Sequence, residues 1–109
     1  MELEFVGDAE WEDRVLGAEG PVFVEFWSPT CNTCRSMEPR LQRVVGMYSD
    51  RVSFFRVDTT QEEDLVWAYE VLSTPTFMAF RGSEPVGALY GQVEDTELAN
   101  LLDDAIAGE

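Results

Sequence analysis

The hydrophobic positions of this chain change period several times, and each change marks an element. Leu3 to Val6 suits a short first strand, punctuated by Gly7-Asp8. Asp8 can cap a helix carrying Trp11, Val15 and Leu16, which Gly17 to Pro21 ends. Val22 to Trp27 is apolar or aromatic except at Glu25, the pattern of a buried strand. After Ser28-Pro29-Thr30, helical spacing returns at Met37, Leu41, Val44, Val45 and Tyr48. Pro39 lies inside that helix, removes an amide donor and predicts a kink. Val52 to Asp58 reads as a third strand. Thr60-Gln61-Glu62-Glu63 reads as a capping box before a helix bearing Leu65, Val66 and Tyr69. Thr76 to Phe80 and Val86 to Tyr90 read as two strands joined by a hairpin turn across Arg81 to Pro85. Leu98, Leu101, Leu102, Ala105 and Ile106 form the apolar stripe of a last helix.

The predicted order is therefore β-α-β-α-β-α-β-β-α. Early alternation and a late hairpin imply an α/β fold, with a mixed five-stranded sheet and helices on both faces. The 109 residues suit a single domain spanning 1–109. Repeats, linkers and low-complexity segments are absent from the sequence. No apolar run approaches the roughly 20 residues of a membrane span. Met1-Glu2-Leu3-Glu4-Phe5 lacks the basic-then-apolar pattern of a signal peptide, so a cytoplasmic protein is the default expectation; a chain trimmed of its leader would look the same. The net charge is −15, from 22 acidic and 7 basic residues, all of the latter arginine. That balance opposes binding to nucleic acid and to anionic membranes. It suits either a heavily solvated surface or steering toward a basic partner.

The only cysteines, Cys31 and Cys34, follow the second strand and open the second helix. The first amides of a helix lack partners and carry partial positive charge. A thiolate placed there has a lowered pKa and is a nucleophile near neutral pH. Cys34, three residues on, faces the same side and can close a disulfide with Cys31. Cys31 is thus the expected attacking sulfur and Cys34 the resolving one, in a dithiol that needs no further cofactor. With two cysteines and no histidine, a four-ligand zinc site within the chain is not expected.

From about Phe5 to Ile106 the chain resembles thioredoxin. The resemblance rests on Phe26-Trp27, Cys31-x-x-Cys34, Pro39, Val57-Asp58, Thr74-Pro75-Thr76 and Gly91. It implies the thioredoxin fold, dithiol–disulfide exchange with protein substrates, recycling by a thioredoxin-reductase-like donor, and a monomer. Pro75 resembles the family's cis-proline, although without the resemblance it reads as an ordinary proline starting a strand. By the same resemblance, Thr30, Thr74, Pro75 and Gly91 would meet the substrate, Thr74 through its backbone. Glu25 falls where the family has a buried Asp and would exchange a proton with Cys34. Arg56 falls at a family Lys position; the two could instead be a structural ion pair. Trp27, Asn32, Thr33 and Arg56 would support the site.

Two departures modify that expectation. Thr30 replaces the aromatic that usually precedes the first cysteine, and Asn32-Thr33 replaces Gly-Pro. If Cys31 is the helix cap, the Thr33 amide can point at its thiolate, which a proline could not do. This predicts a lower Cys31 pKa and a more oxidising couple than an ordinary thioredoxin, unless Asn32 and Thr33 are neutral helix-start residues. An oxidase or isomerase is then the rival within the enzyme class. A binding module with incidental cysteines, or a redox sensor or subunit of a larger assembly, is the rival outside it.

Overall fold

Two hydrophobic faces of one strand, Val22–Trp27, divide the molecule into its layers. The computed structural model describes residues 3–108. Met1, Glu2 and Glu109 lie outside the described residues, and with them the start of the stretch read above for a leader and the ends of the 1–109 span. The elements are β1 (Glu4–Phe5), α1 (Asp8–Trp11, running on as a π-helical turn over Glu12–Leu16), β2 (Val22–Trp27), α2 (Asn32–Tyr48), β3 (Ser53–Asp58), α3 (Glu63–Ala68), β4 (Thr76–Arg81), β5 (Glu84–Tyr90) and α4 (Asp95–Ala107). The five-stranded sheet has the order β1-β3-β2-β4-β5, parallel on the β1 side and antiparallel through β4 and β5.

Side chains alternate across β2 with period two. Phe23 points into the core made with Met37 and Leu41 of α2 and Leu98 and Leu102 of α4. Val22, Val24 and Phe26 point the other way, against Trp11, Val15 and Leu65. Helices therefore cover both faces, and β2 is hydrogen-bonded on both edges. α2 continues through Pro39 to Tyr48 and buries Met37, Leu41, Val44, Val45 and Tyr48, as their spacing predicts. No helix among the described residues is long and apolar enough to cross a membrane.

Three local expectations are corrected. The first helix is capped at Gly7, not Asp8. The Gly7 amide donates to Glu10 (2.9 Å) and the Asp8 amide to Glu62 (2.9 Å), a residue from the far side of the sequence. A Cβ at position 7 would meet the Glu62 carboxylate at 2.6 Å, so a larger residue there would have to displace that side chain. Thr60 does not begin a capping box. Its amide and hydroxyl both donate to Asp58 Oδ1 (2.9 and 2.6 Å), and α3 begins three residues later. This local turn outcompetes the helix start. The hairpin is also tighter than predicted. Arg81 pairs with Glu84, leaving Gly82-Ser83 as the loop, with Gly82 at φ 65°. Pro85 is tolerated because β5 is an edge strand.

The end of β5 is tied to the start of β4. Gly91, at φ 72°, donates its amide to the Pro75 carbonyl at 2.9 Å. Nothing lies within 4 Å of a Cβ built at Gly91, so its replacement is opposed by backbone conformation alone. Gly91→Ala is expected to lower the unfolding free energy by roughly 1–2 kcal/mol in a denaturant titration. An unchanged midpoint would mean that the left-handed conformation is not held in solution.

Candidate active site

β2 ends at Trp27, and the chain turns back so that the Cys31 amide donates to the Ser28 carbonyl at 3.3 Å. Cys31 is the cap of α2, with extended backbone (φ −86°, ψ 106°). Its Sγ accepts the Cys34 amide at 3.0 Å. A disulfide joins the two cysteines, with Cα atoms 5.2 Å apart. Their environments differ: Cys34 is 1% exposed, whereas Cys31 is only partly buried. The sulfur at the helix start is thus the more accessible one, beside an amide donor and the positive end of a long helix.

The helix-start donor is not the one the sequence suggested. Cys34, the third helical residue, reaches Sγ, rather than Thr33, the second. The difference arises because an extended cap directs its side chain at the third amide of the first turn. Thr33 instead offers its carbonyl to the Ser36 hydroxyl at 3.0 Å. Asn32 is exposed and accepts from Arg35 at 2.6 Å. A proline at 33 would leave the Cys34–Sγ bond intact, so the argument for a more oxidising couple loses its stated donor.

The same end of the sheet holds the other expected residues. The Thr74–Pro75 peptide is cis. Phe26 pairs with Thr76, so Pro75 lies one step further along, beside the end of β2. The Thr76 hydroxyl donates to the Ser73 carbonyl at 2.8 Å, and Gly91 holds Pro75 from the other side. Thr30 is exposed and Thr74 half-buried. The Trp27 carbonyl accepts the Thr59 amide (2.8 Å) and hydroxyl (3.1 Å), and its ring packs edge-on against Phe5. In the stretch that precedes the cis-proline in sequence, Trp67 and Leu72 are 82% and 94% exposed. With Val66, Glu70 and Val71 they line an apolar cavity of about 290 Å³.

Glu25 lies on the face of β2 that carries Phe23, beneath α2, and is completely buried. Arg56, its direct neighbour on β3, reaches Glu25 Oε1 through Nε (2.8 Å) and Nη2 (2.7 Å). The Arg56 guanidinium also lies over the Trp27 ring, 5.6 Å from its centroid. Glu25 Oε2 has no hydrogen-bond partner among the described residues. Burial pushes the Glu25 pKa up to about 7; Arg56 opposes that rise and Glu38 reinforces it. Glu38 was not singled out from the sequence. Its only sequence signal is its place four residues beyond Cys34, on the same side of α2.

A carboxyl that binds its proton more tightly in the folded chain stabilises the fold below the unfolded pKa, near 4.5, and loses that contribution as the pH rises through about 7. Glu25→Gln removes this dependence. Relative to the native chain, the variant is expected to gain about 2 kcal/mol of unfolding free energy between pH 5 and pH 8, read by denaturant titration of the disulfide form. Parallel pH curves for the two chains would show that burial does not alter the titration of Glu25.

The thioredoxin family model matches residues 2–104. The chain is 37% identical to thioredoxin 1 of Synechococcus elongatus over 90% of its own length and 92% of that protein. It is 34% identical to the thioredoxin of Synechocystis over the same shares. Its identity to thioredoxin M2, chloroplastic, of Arabidopsis thaliana is 33% over 94% of this chain, which spans only 55% of that longer protein. A Cys-x-x-Cys disulfide at the start of α2, on a five-stranded mixed sheet covered on both faces, agrees with these relationships: the chain belongs to the thioredoxin family and is a thiol–disulfide oxidoreductase.

Proposed function

We propose that this protein reduces protein disulfides, with Cys31 as nucleophile and Cys34 as resolving thiol. The Cys31 thiolate attacks one sulfur of a substrate disulfide. A mixed disulfide forms, and the other substrate sulfur leaves as a thiolate that takes up a proton. Cys34 then loses its proton to Glu25 in its ionised form and attacks Cys31 Sγ, closing the Cys31–Cys34 disulfide and releasing the second substrate thiolate. The substrate gains two electrons and the dithiol loses two. A thioredoxin-reductase-like donor returns them, so the dithiol is the only redox group the cycle requires.

The observation that carries this assignment is the asymmetry of the pair, with a partly exposed Cys31 Sγ at the helix cap and a buried Cys34. An outside disulfide meets Cys31 first. The backbone of Thr74, with Pro75, Gly91 and Thr30 around it, is the proposed seat for an extended substrate segment. Trp27 and Arg56 support the site from beneath; Asn32 and Thr33 set the helix start. We further propose that one domain, acting as a monomer in a cytoplasm-like reducing compartment, performs this cycle. Relatives whose names include "chloroplastic" make a plastid the competing location.

The midpoint potential, measured by thiol counting in dithiol buffers of known potential, separates a reductant from its rivals. A value near about −270 mV is expected, the level of thioredoxin itself. A value above about −200 mV would favour an oxidase or isomerase. Absence of a reversible couple would favour a binding module. Cys34→Ser is expected to accumulate mixed disulfides with protein substrates through Cys31, and Cys31→Ser to lose reductase activity; trapping through position 34 instead would reverse the assignment.

A further inference from the structure

Arg56 does not belong to Glu25 alone. Its Nη2 lies 2.7 Å from Glu25 Oε1 and also 2.7 Å from Glu38 Oε1. Glu38 is fixed in that position, because its second oxygen accepts the Gln42 side-chain amide at 2.9 Å. One guanidinium thus serves two carboxylates. The Arg56 side chain is 12% exposed, the Glu25 side chain 0% and the Glu38 side chain 38%. With both acids ionised, this poorly solvated cluster carries one uncompensated negative charge. A single proton neutralises it. Glu25 is the acid that holds that proton, because its side chain is fully buried whereas that of Glu38 keeps solvent contact.

We propose that Glu38 is a positioning residue: by sharing Arg56 it weakens the hold of the guanidinium on Glu25, and so tunes the proton exchange between Glu25 and Cys34. Among the described residues, Arg56 and Glu38 are the charged groups that act on Glu25. β3 supplies Arg56, α2 supplies Glu38, and β4 places apolar Phe77 opposite. The side chains that α4 turns toward this core, Leu98, Leu101, Leu102 and Ala105, are also apolar. Repulsion from Glu38 adds to the burial of Glu25 in favouring its protonated form. Glu38 touches no reacting atom. It acts through Arg56, and one turn of helix separates it from Cys34.

The inference rests on the proposed role of Glu25 in proton transfer, so its test separates the two. Glu38→Gln keeps an oxygen for Arg56 and removes the charge. Two quantities are measured on the full chain. The first is the titration midpoint of the Glu25 carboxyl, followed by carbon NMR of the disulfide form. The second is the pH profile of kcat/KM for reduction of a disulfide-containing protein such as insulin. Expected are a downward move of the Glu25 midpoint, corresponding to at least a threefold weaker proton affinity, and an equal displacement of the rate profile. Glu38→Asp, which retains the charge, is expected to recover part of both. An unmoved Glu25 midpoint overturns the role of Glu38. A midpoint that moves while the rate profile stays fixed overturns the role of Glu25 in proton transfer, and with it the function of the shared arginine.

Discussion

A carboxylate sealed inside a sheet that is covered on both faces has to be neutralised, and the pairing of β2 with β3 is what makes this possible. Register places Arg56 directly beside Glu25. One residue of slip would send the arginine to the opposite face, against Trp11 and Phe26, and strand the acid. The ion pair therefore holds the sheet in a register that the apolar residues alone would specify less sharply. It contributes selectivity among arrangements rather than simple stability, since burying two charges costs much of what their attraction returns. The site above depends on the same register, because Trp27, Cys31 and Pro75 all extend from strand ends that it aligns.

Around that fixed strand the remaining parts behave as clamps. Gly91 holds the cis-proline segment, Thr59 holds the end of β2, and Arg81 donates to the Ala105 and Ile106 carbonyls at the end of α4 (3.0 and 3.2 Å). The last contact satisfies carbonyls that a helix leaves without partners and places a cation at the negative end of its dipole. The cysteines are thus carried by a long helix packed on a sheet in which the end of β4 is also fastened. A reactive sulfur on such a rigid support has its orientation set before a substrate arrives.

Most of this was legible in the residues wherever the signal was local. The apolar run of β2, the spacing of α2 and the stripe of α4 each announce their elements, and the two cysteines announce their chemistry. The failures have separate physical causes, one distant in sequence and the others in local side-chain and backbone geometry. Asp8 resembles a cap until Glu62 arrives from another part of the chain to serve the first turn. Thr60 resembles a cap until Asp58, two residues back, claims its donors. Thr33 was one position short because the backbone angles of the cap decide which amide meets the sulfur. Glu38 stayed hidden because nothing along a helix face tells an acid with ordinary solvent from one that shares a buried arginine.

The exposed pair Trp67 and Leu72 acquires a different meaning when the outside of the molecule is set against its inside. At neutral pH a net charge of −15 makes copies of this protein repel one another. Acidification toward the isoelectric point near 4.1 removes that repulsion and leaves the patch unchanged. In the same range Glu25 takes up its proton and the interior loses its awkward charge. The pH range in which Glu25 contributes fully to folding, below about 4.5, therefore lies close to the isoelectric point, where copies repel least. Conditions that relax the core of this protein are those in which its surface is most adhesive.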